Sequence, residues 1–330
     1  MVLERRPVVG VPVRCGEFMP HNEEIQTIFP DAEDVPEIFD LPSGLVSINT
    51  EAMTVFSPKM RRYELDFHGW TTDRDRFDQH LADKAQKAGA RVLTSVRCLS
   101  TARGSVRTDL GTIEAKVVIG ADGPLSVVAK SLGLERSWDL CPAMCTVVKG
   151  DFPPIPEMYF GPVAPGGYGW VIPKKDGANV GLGFSKLYTD RTLREIWEPF
   201  ARRRGLDAGH MNGKLVPMSG PIPQTVVGNS LVVGDAAGQV MAVNGGGIPI
   251  ALICGKIAGA SAADCVLKGS DLRSYEREWR RQVGRPLATA LRSKRLAMLA
   301  FGSQWRLETA MRILGPRRMG RTIRCRSPFP

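Results

Sequence analysis

One stretch limits the possible folds more than any other: Leu231 to Ala258, reading LVVGDAAGQVMAVNGGGIPIALICGKIA. Its opening residues, Leu231-Val232-Val233, form a short apolar run of the kind that makes a buried strand. Gly234 and Asp235 break that run, and the glycine triplet Gly245 to Gly247 leads into a helix expected to start near Ile248. A strand, a carboxylate, bare backbone and a helix start in that order suit a bulky, polyhydroxylated, partly anionic ligand. Glycines let main-chain N–H groups approach it with no Cβ in the way. The helix N-terminus adds unpaired donors and a positive dipole end, and Asp235 accepts hydrogen bonds from ligand hydroxyls. The plainer alternative is a tight strand-to-helix turn with a solvated Asp235.

A second segment, VVIGADGPLSVVAKSLGL over residues 117–134, repeats the theme: a buried strand from Val117 to Ile119, a Gly120-Ala121-Asp122-Gly123 loop, then an amphipathic helix. Together the two segments resemble the flavoprotein family of geranylgeranyl reductases and flavin-dependent aromatic hydroxylases. Three further stretches point to its archaeal-type digeranylgeranylglycerophospholipid reductase-like branch. They are Gly166 to Lys174 (GGYGWVIPK) followed by Ala178 to Gly183 (ANVGLG), the cysteine-bearing Val11 to Glu17 (VPVRCGE), and a DRxxFDxxLxxxAxxxGA helix from Asp73 to Ala90. The resemblance spans most of residues 2–265. It implies an α/β fold: a Rossmann-like FAD-binding domain, an inserted antiparallel β-sheet substrate domain and a C-terminal helical region. The FAD part is expected over 1–44, 70–137 and 226–265, the substrate part over 45–69 and 138–225, and a basic helical region over 266–330.

The resemblance also implies roles. Glu4 would hold the adenosine ribose, Val96 and Ala121 the adenine neighbourhood through main chain, and Asp235 the ribityl or pyrophosphate region. Gly246, Gly247 and Ile248 would face the flavin pyrimidine edge, with Arg14 and Cys15 beside the ring. Tyr168, Trp170, Ile172 and Pro173 would line an apolar tunnel, and Cys15, Tyr168 and Trp170 are the catalytic candidates. The reaction implied is reduction of isolated C=C bonds in geranylgeranyl chains, with hydride from flavin N5 and a proton from an acid that the sequence does not single out. Electrons would come from ferredoxin or a reduced pyridine nucleotide. A monooxygenase or halogenase of the same fold, and a non-catalytic fragment, are the competing readings. For Tyr168, Trp170, Ile172 and Pro173 the alternative is ordinary sheet core; for Cys15 it is a packing cysteine. Ala242 stands where the family usually has proline.

The family's GxGxxG turn, about 20–30 residues before a ribose-binding acid, has no counterpart before Glu4. The expectation is therefore an N-terminally truncated reading frame, a parallel sheet with an unpaired central position, and weak FAD binding or poor folding. The alternative is a natural fragment.

Charge is unevenly spread. Of a net +10, residues 280–330 carry thirteen Lys or Arg against the single acid Glu308. Interleaved with Trp305, Leu307, Met311, Ile313 and Leu314, these suit helices lying on an anionic lipid surface; a solvated basic face is the alternative. No recognised module favours nucleic acid. The seven cysteines show no disulfide or zinc spacing, and the four histidines (His21, His68, His80 and His210) are scattered, so a metal is not expected. A reduced, cytoplasmic setting, peripheral at a membrane surface, fits best. The apolar window Ile248 to Leu267 includes Lys256, Asp264 and glycines and reads as a core helix. Residues 18–44 read as irregular cover, Arg74 to Ala88 as a helix, residues 97–116 as a hairpin, and 191–204 as a helix.

Overall fold

The computed structural model describes residues 1–206 and 211–329, so His210 lies outside the described residues. An eight-stranded sheet dominates, formed by β2 (Phe18–Pro20), β3 (Val46–Phe56), β4 (Arg62–Thr72), β10 (Leu140–Lys149), β11 (Glu157–Phe160), β12 (Tyr168–Lys174), β13 (Gly177–Gly183) and β14 (Asn212–Pro217). Their order is β14-β10-β13-β12-β11-β3-β4-β2. All joins are antiparallel except β11 on β3. Residues 46–72 form one long hairpin, β3–β4, with register shifts near Ile48 and Thr50 that mark bulges.

Two smaller parallel pieces flank it. β1 (Val2–Leu3) pairs with β5 (Val92–Leu93), and β9 (Val118–Gly120) pairs with β16 (Ser230–Val232), which β15 (Val226–Val227) extends. The two pieces form separate sheets, yet Leu3 packs against the cluster that holds Val118 and Val128. The expected hairpin at 97–116 is a three-stranded meander, β6 (Cys98–Ala102), β7 (Ser105–Thr108) and β8 (Gly111–Glu114).

Residues 18–44 are not irregular cover. They hold β2, α1 (Asn22–Ile28) and α2 (Val35–Ile38), and Ile25, Ile28, Phe29 and Phe39 from this stretch sit in the main core. The apolar positions there recur at helical spacing, which the acidic residues between them mask. α3 (Arg74–Lys87) ends before Gly89, and α4 (Val127–Ser131) is a short helix after the GADG loop. α5 (Leu193–Arg204) starts at a Thr192–Glu195 capping box and covers one face of the large sheet. α6 (Ile248–Lys268) is long and apolar enough to cross a bilayer, but Ile250, Ile253, Cys254, Ile257 and Ala258 lie in the main core. α7 (Ser274–Trp279) runs through a π-helical turn into α8 (Arg285–Phe301). The last helix, α9 (Gln304–Ile323), kinks at Gly315, where φ is 59°.

Candidate functional site

The site begins with alternation along β12. Successive side chains of a strand point to opposite faces, so Tyr168, Trp170, Ile172 and Lys174 share one face. Register places Asn179 and Gly181 of β13, Cys141, Ala143 and Cys145 of β10 and Lys214 of β14 on that face as well. Pro173 falls on the other side with Val171 and Ala178, which pack against α5. The period-2 rule thus separates it from the three residues it was grouped with.

Trp170 lies flat on β13. A Cβ at Gly181 would stand 2.4 Å from its Cζ2 and 2.3 Å from the Met144 carbonyl oxygen, so only glycine admits the indole there. The indole Nε1 donates to Asn179 Oδ1 at 2.9 Å, and Asn179 Nδ2 donates to Cys15 O and to Glu17 Oε2, each at 2.8 Å. The Cys15–Glu17 loop is thereby drawn across the patch, with the Cβ position of Gly16 only 3.1 Å from Ile172 Cδ1. Buried Glu17 anchors the loop in a left-handed conformation (φ 63°). Its Oε1 accepts from the Arg74 amide at 3.0 Å and from Lys174 Nζ at 2.9 Å. Lys174 also pairs with Asp73 at 2.7 Å. Burial alone would lower the Lys174 pKa, but Glu17 and Asp73 outweigh it and leave it raised.

Arg14 adjoins Cys15 in sequence but does not meet its thiol. The thiol is met instead by Arg74, whose Nη1 reaches Cys15 Sγ at 3.4 Å, and by the Glu17 amide at 3.3 Å. Arg14 instead leaves its buried Nε without a partner among the described residues. Tyr168 donates its hydroxyl proton to the Asn244 carbonyl, tying the sheet to the glycine-rich loop, and burial pushes its pKa up. Lys214 makes a second tie, 2.6 Å from Asp235 Oδ2.

Glu4, Val96, Ala121 and Asp235 stand just beyond the carboxyl ends of parallel strands, where α/β sheets bind ligands. Val96 donates its amide to Glu4 O at 3.0 Å, and Glu4 Oε1 accepts from the Arg6 amide at 2.8 Å. Ala121 is exposed, whereas Asp122 is committed to capping α4, accepting from Val127 N at 2.7 Å. Gly247 precedes α6 as its N-cap and Ile248 opens the helix. The Gly246 amide is taken up inside the loop by Asn244 Oδ1 at 3.0 Å. Among the described residues no cluster of metal ligands occurs. Sequence reasoning missed Lys214, Lys174 and Asn179. The latter two lie in or beside quoted motifs and follow from alternation, but Lys214 becomes visible only through the pairing of β14 with β10.

Residues 143–218, the stretch that includes most of this sheet face, match the model of the geranylgeranyl reductase catalytic domain. Over 326 residues the chain is 35% identical to digeranylgeranylglycerophospholipid reductase 2 of Methanothermobacter thermautotrophicus, covering 90% of this chain and 80% of that protein. The chain belongs to the digeranylgeranylglycerophospholipid reductase family. The digeranylgeranylglycerophospholipid reductase of Methanocaldococcus jannaschii is also 35% identical, over 322 residues, with the same coverage. In fold, this member of the family is similar to a geranylgeranyl bacteriochlorophyll reductase-like protein from Thermoplasma acidophilum (TM-score 0.80, 24% identity, covering 94% of this chain and 84% of that one). A probable FAD-dependent monooxygenase from Pseudomonas aeruginosa shares the architecture at TM-score 0.68 and 14% identity, covering 94% of this chain and 92% of that one.

Proposed function

We propose that this chain is an FAD-dependent reductase of isoprenoid C=C bonds, acting on geranylgeranyl chains of membrane-lipid precursors. The observation that carries the reading is an apolar patch, with Cys145, Trp170 and Ile172 buried and Tyr168, Met158 and Phe18 packed around them, roofed by the Cys15 loop and tied by Tyr168 to the glycine-rich loop before α6. A hydrocarbon chain needs such a surface, because an unactivated alkene offers no developing oxyanion and must be oriented and desolvated instead.

The residues fit FAD. Asp235 offers carboxylate acceptors to ribityl hydroxyls, and Glu4 offers the same to a ribose. The start of α6, with Gly247 and Ile248, presents unpaired amides and a positive dipole end to an electron-rich ring edge. The orphaned Arg14 Nε supplies one more donor beside the Cys15 loop. When bound and reduced, the flavin supplies the hydride. Trp170 and Ile172 orient the chain, and Arg74 and Glu17 hold the Cys15 loop above it.

In the same reading, residues 1–44, 70–137 and 226–265 form the cofactor part, and 45–69 with 138–225 the substrate part. Residues 266–330 form a basic helical region, and ferredoxin or a reduced pyridine nucleotide supplies electrons on the cytoplasmic side. The test is anaerobic incubation of the flavin-loaded protein with dithionite and a digeranylgeranylglycerol phospholipid, read by mass spectrometry. Stepwise gain of hydrogen is expected. An unchanged lipid, or oxygen incorporation into an aromatic substrate in air, overturns the reading.

A further inference from the structure

The α8–α9 hairpin carries an unusual combination of side chains on its outer surface. On α8, Leu287, Ala290 and Ser293 face inward, while Arg292, Arg295, Leu296 and Leu299 share the exposed side at helical spacing. Beyond the turn, Trp305, Arg306, Arg312 and Ile313 are exposed on one side of α9. The apolar members are not grazing contacts: Leu296 is 61% exposed, Leu299 72%, Trp305 69% and Ile313 61%. The one acid of residues 280–330, Glu308, is turned inward, where it accepts from the Lys59 amide at 3.1 Å and pairs with Arg61. The outer surface therefore presents arginines and large apolar side chains with no carboxylate from this region among them.

The inner side of the hairpin leads to the site. Phe301 and Leu314 pack with Met158 and Phe160 of β11 on the cluster of Val55, Leu65, Leu307 and Met311. Met158 also packs on the Trp170–Ile172 patch, and the Phe160 ring lies 5.7 Å from that of Tyr168. On the flank, Tyr188 donates to the Met298 carbonyl at 2.9 Å and sets its ring 6.0 Å from Phe301, bringing exposed Leu187 to the same edge. An apolar seam thus runs from the exposed hairpin to Tyr168.

We propose that the outer face of α8–α9 docks on an anionic lipid surface and that isoprenoid chains pass from it along the Phe301–Phe160–Met158 seam to Trp170. Arginines beside leucines and a tryptophan on adjacent helices match both halves of a phospholipid interface: headgroup charge and the upper acyl region. A water-soluble acidic partner would account for the arginines and leave the leucines and Trp305 without a role. This inference rests on the reductase reading only for the identity of the chain that travels the seam.

The test uses the whole protein with vesicles of phosphatidylglycerol in phosphatidylcholine, and of phosphatidylcholine alone. Expected results are co-sedimentation with the anionic vesicles that weakens with salt, and a blue shift of tryptophan emission that the variant Trp305→Phe loses. Replacing Leu296, Leu299 and Trp305 together by serine should weaken binding by about tenfold or more, and Arg292→Gln with Arg295→Gln should flatten its salt dependence. A photoactivatable prenyl lipid in the vesicles should label the peptide around Met158 and Phe160 in the parent and not in the triple variant. No binding at low salt, or equal binding and unshifted emission in the triple variant, overturns docking. Labelling elsewhere overturns the route. Vesicle binding requires no turnover, so a chain that binds and labels as described yet reduces no lipid overturns only the reductase reading. Reduction of detergent-dispersed lipid by a chain that ignores vesicles overturns only this one.

Discussion

Lys174 and Glu17 decide whether the Cys15 loop stays on the sheet. The pair is buried, with side chains 12% and 1% exposed, and Glu17 also satisfies Asn179 and the Arg74 amide. Lys174→Met should cost about 3–5 kcal/mol, because it strands a buried carboxylate, and adding Glu17→Gln should recover part of the loss through their coupling. Urea denaturation of the parent, the single variants and the double variant measures both. The sign with pH follows from the raised lysine pKa: its contribution is in force below the ordinary value of 10.5 and is lost only as pH climbs through the higher folded value. A second residue-scale expectation concerns the two thiols of β10. Burial pushes Cys141 and Cys145 each up to about 12, leaving roughly one molecule in ten thousand as thiolate at pH 8. Iodoacetamide should therefore modify both only after unfolding, as peptide mass spectrometry can check, and rapid labelling of either in the folded protein would contradict the packing described here.

Helix α9 is held to the β3–β4 hairpin by Leu307 and Met311 packed against Val55, Tyr63 and Leu65, and by Glu308. Burial pushes the Glu308 pKa up, but bonds from Ser57 and the Lys59 amide, with Arg61 nearby, leave it below the usual 4.5. A depressed acid stabilises above its unfolded pKa and fails as pH falls through the folded one. Acidification below about 4.5 should accordingly release α9 before the sheet melts, and Glu308→Gln should abolish that step; limited proteolysis across pH reads it directly. Elements of this kind were unevenly legible. Strand–loop–helix order around Asp235 and Ala121, the helix from Arg74 and the helix over 191–204 could all be read locally, because each depends on residues within a few positions. The helices of 18–44 were hidden by their exposed acids, and Pro173 was misgrouped because a motif string ignores strand alternation. Arg74 as partner of Cys15, and Lys214 as partner of Asp235, depend on contacts between segments 59 and 21 positions apart that local spacing does not encode.

At the scale of the whole molecule the charge is concentrated in the C-terminal helices, where residues 280–330 hold thirteen Lys or Arg against one acid. Their last residues reach an acidic neighbourhood: Arg324 pairs with Glu24 and donates to the Asp66 carbonyl at 2.7 Å, beside a shallow cavity of about 440 Å³ lined by Glu51, Glu64, Asp66 and His68. Retention on a heparin column should consequently exceed what a uniformly spread +10 would produce, and Arg292→Gln with Arg306→Gln should elute earlier, at lower salt. The parallel strands have a different consequence. Among the described residues, β1 and β9 each hydrogen-bond on one side only, β1 with β5 and β9 with β16, and both carry exposed apolar residues, Val2 and Ile119. Amides on the unpaired sides have no ladder to slow their exchange with solvent. A brief deuterium pulse should thus mark one side of each strand early and leave the other protonated. Bare strand sides also recruit one another between molecules, so light scattering should rise with protein concentration and with time on the bench, most steeply where salt masks the mutual repulsion of the arginines.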